Sequence, residues 1–103
     1  MKINIKEENG VFTGIIEGWL DSTEAAQFAT EIQPLIDNAD KEIVLDCQGL
    51  EYVASSGLRA FLTLRKASAA KGGHITIVNV NDTIREVFTM TGFYTLFDIK
   101  DKI

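Results

Sequence analysis

Ile3 and Ile5 alternate with Lys2, Asn4 and Lys6, the two-residue period of a strand with one buried face. Asn9-Gly10 follows and predicts a hairpin, because a type I′ turn needs positive φ at both central positions. Val11 to Glu17 reads as the returning strand, in which Gly14 is expected to form a bulge and Gly18 to end the element. From Asp21 the period lengthens. Ala25, Phe28, Ala29, Ile32 and Ile36 recur at helical spacing, with Glu24, Gln27 and Glu31 turned toward water. Asp21 and Glu24, three residues apart, approach a capping box. Pro34 lacks a donor and crowds the carbonyl four residues back, so a kink or an early end is expected there.

Ile43, Val44 and Leu45 form a short apolar run ending at Asp46, with Gly49 soon after, and predict a buried strand that then leaves its sheet. At Leu58 the period changes again, and Leu58, Phe61 and Leu62 share one helix face. This helix is expected from about Ser56 to Ala70, closed by Lys71-Gly72-Gly73. Arg65 falls on its apolar side, its stem along the core edge and its guanidinium reaching solvent or an acid. Arg59 and Lys66 fall on the opposite side. His74 opens the strand Ile75 to Val78, and Asn81 or Asp82 caps a short helix carrying Ile84, Val87 and Phe88 that Gly92 closes. Phe93, Leu96, Phe97 and Ile99 form a mixed apolar end kept polar by Asp98, Lys100 and Asp101. The order strand-strand-helix-strand-helix-strand-helix predicts an α/β fold bordering on α+β. A mixed β-sheet of about four to five strands is expected, its later strands parallel and its helices mainly on one face.

A length of 103 residues predicts one domain, residues 1–103, with a modest core. The net charge of -5 argues against nucleic acid, which needs clustered Lys and Arg. Cys47 is the single cysteine, so an internal disulfide and a thiolate metal site are excluded, which suits a reducing cytoplasm. No stretch approaches the roughly 20 apolar residues of a membrane span. Any membrane role would run through a partner.

The candidate chemistry gathers at Ser55-Ser56, between the buried strand and the helix. Two readings share one physics: a serine oxygen can cap the helix's free N–H groups, and the same N–H groups and dipole favour an anion such as a phosphoserine. Catalysis is not expected. A nucleophile elbow needs G-x-S-x-G, and Val53 stands where the first glycine belongs. His74 is the only histidine and the sequence suggests no acid paired with it. Asp46 ends a strand, as a phospho-aspartate receiver requires, but the first strand ends in no acidic pair. No metal motif is present.

Leu50-Glu51-Tyr52-Val53-Ala54-Ser55-Ser56-Gly57-Leu58-Arg59-Ala60-Phe61-Leu62 resembles the signature loop and helix of STAS domains, the sulfate transporter and anti-sigma factor antagonist family. Gly18-Trp19-Leu20-Asp21, Ile43-Val44-Leu45-Asp46, and Val87-Phe88 with Thr91-Gly92-Phe93 resemble further family segments in the same order. The resemblance implies phosphorylation at Ser55, two places before the glycine, and a contact surface of Asp21, Ala54, Ser56, Gly57, Leu58 and Arg59 around it. It also sets Asp21 beside the loop, where its charge lowers affinity for a second anion. The implied function is partner switching. The unmodified domain, expected as a monomer, binds a serine-kinase anti-sigma factor; the kinase phosphorylates it with its own ATP and Mg2+; a serine phosphatase restores it. No cofactor is implied for this chain. Many phosphorylated members carry aspartate or serine where this chain has Ala54, which keeps open a constitutive adaptor subunit, for example of a lipid-transport ATPase complex.

Overall fold

The computed structural model describes residues 1–100, so the expectation for Asp101 lies outside the described residues. Strands β1 (Lys2–Glu8) and β2 (Val11–Leu20) are followed by short helices α1 (Ala25–Glu31) and α2 (Gln33–Asp37). Then come β3 (Glu42–Val53), the long helix α3 (Ser55–Lys71), β4 (His74–Val78), α4 (Asp82–Thr91), α5 (Phe93–Leu96) and β5 (Asp98–Lys100). The five strands form one mixed sheet in the order β1-β2-β3-β4-β5. Only β1 runs antiparallel to its neighbour; the other pairings are parallel.

The hairpin forms as its dipeptide predicts, with φ of 54° at Asn9 and 81° at Gly10, the two positive values of a type I′ turn. Beyond it, two expectations change. Gly14 is no bulge: it pairs in register with Ile5 on one side and Leu45 on the other. Its missing side chain leaves room for Leu35, 3.3 Å from where a Cβ would lie. The irregularities fall between Ile15 and Glu17 and between Gly18 and Trp19. Gly18, at φ +89°, absorbs the second without ending the strand, because Leu20 still finds a partner in Val53. For the same reason β3 does not leave the sheet near Gly49 but runs on to Val53 beside β2.

The core lies between the sheet and the helices. Phe61 of α3 meets Phe28 of α1 (centroids 5.6 Å apart), Phe88 of α4 (6.1 Å) and Phe93 of α5 (6.2 Å). One aromatic cluster thus gathers the helices on a single sheet face, as the pattern predicts. Pro34 acts as expected, since α1 stops at Glu31 and the proline enters the first turn of α2, where its missing N–H costs nothing. Past the break Leu35 is buried and Ile36 half-buried; before it Ala29 is exposed, and Glu24 and Glu31 are half-buried rather than fully in water. In α3 the inward face is Leu58, Phe61, Leu64 and Ser68, while Leu62 is exposed: Leu58, Phe61 and Leu64 repeat every three residues, and Leu62 falls to the edge of that stripe. Gly72 and Gly92 cap their helices in the left-handed conformation. Arg65 Nε donates to the Leu96 carbonyl oxygen at 2.7 Å, so its partner is the end of α5 rather than an acid. The segment Phe93 to Lys100 resolves into a helical turn and the fifth strand.

Candidate functional site

The site is built on the ends of two neighbouring parallel strands. Leu20 and Val53 are the last register partners of β2 and β3, and Ala54 N donates to Leu20 O at 2.8 Å just beyond them. The turn after β2 and the start of α3 are therefore held side by side, which brings Asp21 to the same end as Ser55.

Ser55 is the first residue of α3, and the N-cap position belongs to Ala54 (φ -86°, ψ 168°), which has no side-chain oxygen to offer. The expected serine cap is absent for a geometric reason. Because β3 continues to Val53, only Ala54 remains to make the change of direction, and both serines already lie inside the helix. Ala54 O accepts from Gly57 N and Leu58 N at 2.9 and 3.0 Å. The Ser55 and Ser56 N–H groups, in the helix's first turn, have no intrahelical acceptor. Ser55 is exposed. Ser56 Oγ is shielded from solvent and finds no hydrogen-bond partner among the described residues.

Asp21 Oδ1 accepts from Thr23 Oγ1 at 2.7 Å and from the Thr23 and Glu24 N–H groups, each at 3.1 Å. The Thr23 hydroxyl above all, opposed by desolvation and reinforced by the backbone N–H groups of Glu24 and Thr23, holds its carboxyl below the ordinary aspartate value. Asp21 is therefore an anion at neutral pH. The capping box is not formed: Glu24 makes no side-chain cap, and its carboxylate lies 3.7 Å from the Met1 amino group.

Of the residues implied for the contact surface, Ser55 and Arg59 are exposed, Asp21, Ala54 and Ser56 are half-buried, and Gly57 and Leu58 turn into the core. Gly57 is a packing requirement. A Cβ there would lie 2.7 Å from Leu20 Cγ and 3.0 Å from Val53 Cγ2. A Gly57→Val protein is expected to lose about 1–3 kcal/mol of stability through overpacking, read as a lowered midpoint in urea unfolding. A wild-type midpoint would show that α3 does not press on Leu20 as described.

Two features escape the sequence. Asn81, found as the cap of α4, also fastens that helix to β3: its Oδ1 accepts from Ile84 N at 3.0 Å, and its Nδ2 donates to Leu50 O at 2.6 Å. Asn81→Ala is expected to cost about 1–3 kcal/mol by orphaning these groups, and Asn81→Asp to recover the cap but not the strand contact. Equal midpoints for Asn81→Ala and wild type in chemical denaturation would contradict this. The second feature is Trp19 and Tyr52, register partners across β2 and β3, whose rings lie 5.1 Å apart on the surface. The signal for them was their outward parity beside Leu20 and Val53, but the register shift after Gly18 hides which residues face each other.

His74, to which the sequence assigns no acid, has two: its Nδ1 lies 2.9 Å from Glu42 Oε1 and its Nε2 3.5 Å from Asp98 Oδ2. All three stand at the starts of their strands, the opposite end of a parallel array from Ser55, so this histidine cannot serve as its base. Cys47 is buried, and burial together with the Asp46 charge pushes its thiol up to about 12. Among the described residues no group of three His, Cys, Asp or Glu side chains could hold a metal ion, and no helix is long and apolar enough to cross a membrane.

Comparison with known proteins places the same architecture elsewhere. The family model described as STAS domain matches residues 2–103. A candidate anti-sigma factor antagonist of Bordetella bronchiseptica, BtrV, is 28% identical over 99 residues, covering 96% of this chain and 85% of the relative. The crystal structure of an anti-sigma factor antagonist from Mycobacterium paratuberculosis superposes with a TM-score of 0.86 at 17% identity, covering 99% of this chain and 86% of that one. The Bacillus cell fate determinant SpoIIAA, solved in its phosphorylated form, superposes with a TM-score of 0.70 at 20% identity, covering 95% and 90%.

Proposed function

Because the chain belongs to the STAS domain family, we propose that it is an anti-sigma factor antagonist that binds a serine-kinase anti-sigma factor when unmodified and releases it when Ser55 is phosphorylated. The observation that carries this reading is the placement of Ser55. Ser55 is exposed at the first position of a 17-residue helix whose N-cap makes no side-chain hydrogen bond, so a kinase can reach the oxygen and the helix end can accept the product. Phosphorylation adds about -1.5 to -2 charge. Two N–H groups without intrahelical acceptors and the positive end of the dipole tolerate that charge. A protein surface packed over the same spot does not, because it would bury the charge without a partner. Release therefore needs no refolding.

Asp21 contributes a fixed negative charge at the same end of the strands, and Arg59 the nearest exposed cation along α3. Ala54, Ser56, Gly57 and Leu58 shape the loop rather than present a broad face. The chain acts as a cytoplasmic regulator and not as a catalyst: ATP and Mg2+ are the kinase's, and a serine phosphatase returns the domain to its binding form. A second reading rests on Ala54, which supplies neither the acid nor the serine found there in many phosphorylated members; on that reading Ser55 stays unmodified and the domain is a constitutive adaptor.

The test begins with unmodified protein as bait in lysate of the source organism. The captured ATPase is then purified and incubated with the chain, ATP and Mg2+, and the products are read by peptide mass spectrometry. One phosphoryl group on the peptide containing Ser55, followed by dissociation, is the expected result. A captured partner that leaves Ser55 unmodified would favour the adaptor.

A further inference from the structure

We infer that the Trp19–Tyr52 ring pair is a docking platform for an arginine of the anti-sigma kinase. The inference rests on the partner-switching reading and names the part of the partner that this surface grips. It is the one ring pair on the surface among the described residues; the other ring contacts are between buried phenylalanines. Trp19 is 57% exposed and Tyr52 41%, with centroids 5.1 Å apart and planes inclined by 34°. The backbone pairing of β2 and β3 fixes both rings one residue before Leu20 and Val53, so the platform lies at the strand end where α3 begins but on the sheet face turned away from the buried Leu20 and Val53. Side chains already ordered in this way lose little entropy when a partner covers them, and Trp and Tyr are enriched among the residues that dominate interface energies.

The charge around the pair selects the occupant. Glu17 and Glu51 are both exposed. They line, with Gly18, Gln48 and Gly49, a wide and shallow cleft that also touches Met1 and Lys2; Lys2 is the register partner of Glu17, and Glu51 adjoins Tyr52 in the chain. The cleft lies along the strands just before the rings, since Gly18 pairs with Leu50 in the preceding step of the register. Gly49 admits Glu17 to this position: a Cβ at residue 49 would lie 2.9 Å from Glu17 Cγ. Ring faces attract cations, carboxylates attract them more strongly, and the chain as a whole carries -5. A guanidinium meets both demands, because it stacks flat on an aromatic face while its edge forks to a carboxylate. A lysine ammonium can approach a ring and a carboxylate, but as a point charge it has neither the flat face that stacks nor the edge that forks. An apolar side chain would satisfy the rings but offer nothing to Glu51.

The test uses the kinase purified from the capture experiment and the full chain, and measures affinity calorimetrically. Trp19→Ala/Tyr52→Ala is expected to weaken binding by about 30-fold or more, with a melting temperature within a few degrees of wild type because both side chains are largely exposed. Trp19→Phe is expected to bind nearly as wild type, Trp19→Leu as weakly as Trp19→Ala, and Leu62→Ala, an exposed apolar control on α3, normally. Trp19 is the only tryptophan, so its emission should change on kinase binding. Undiminished affinity of the double variant would overturn the platform while leaving partner switching intact. Wild-type affinity for Trp19→Leu would overturn the arginine in favour of an aliphatic side chain. A wild-type chain that no kinase binds would overturn both readings together.

Discussion

A Ser55→Asp protein is expected to lose the kinase while keeping its fold. The fixed carboxylate places a negative charge where the proposed switch places a phosphate. Across a packed interface such a charge has no counterion, and about 3 kcal/mol of uncompensated desolvation lowers affinity roughly 100-fold. Within the free chain the same charge falls on the first residue of α3, whose N-cap has no acceptor of its own. There the helix dipole favours it by a few tenths to about 1 kcal/mol. Affinity and stability should therefore part company: calorimetric titration shows the partner gone, and thermal melting shows a midpoint within a few degrees of wild type. A variant that melts much earlier would mean that Ser55 holds the fold together. One that still binds would mean that the kinase does not cover the start of α3.

The largest loss of stability is expected from a glycine just past the other end of the same helix. At Gly73 a Cβ would lie 1.9 Å from the Ala39 carbonyl oxygen and 2.9 Å from the Lys41 carbonyl oxygen. Both obstacles are backbone, so no side-chain rotation relieves them. The connection from α3 to β4 passes directly over the connection from α2 to β3, and Gly73→Ala must drive them apart. A cost of more than about 3 kcal/mol is expected, in the range that unfolds a domain of marginal stability. Gly72 next to it supplies the contrast. It has φ +77° and nothing within 4 Å of a would-be Cβ, so Gly72→Ala meets only the left-handed penalty of about 1–2 kcal/mol. Urea unfolding of the two variants separates crowding from backbone strain. Equal midpoints would refute the close passage of the two connections.

The contrast also marks how far a chain can be read from its letters. Asn9-Gly10, Pro34, Gly72 and Asn81 act through their own covalent geometry, and each did locally what its chemistry predicts. The errors fall where a distant neighbour decides. Gly14 looks like a bulge until Leu35 and Leu45 are seen to need its space. Gly49 looks like a strand end until β2 is seen to continue alongside. With β3 running to Val53 and Ala54 as the N-cap, both serines lie past the capping position, and packing against the core puts Leu64 rather than Leu62 on the inner face. The candidate site was legible at Ser55 through its resemblance to a known loop. Its aromatic flank was not, because two irregularities between β2 and β3 reset which residues oppose each other.

The bond from Ala54 N to Leu20 O closes the pairing of β2 with β3, and its position has a consequence in time. The β1–β2 hairpin spans a short loop and can form within about 1–10 microseconds. The β2–β3 pairing has to bridge the whole of α1 and α2 before its first contact, the slower kind of event. Asp21 and Ser55 come to the same end of the sheet only when that pairing reaches Leu20 and Val53. The surface proposed to meet a partner is therefore complete only once β2 and β3 are paired to their ends.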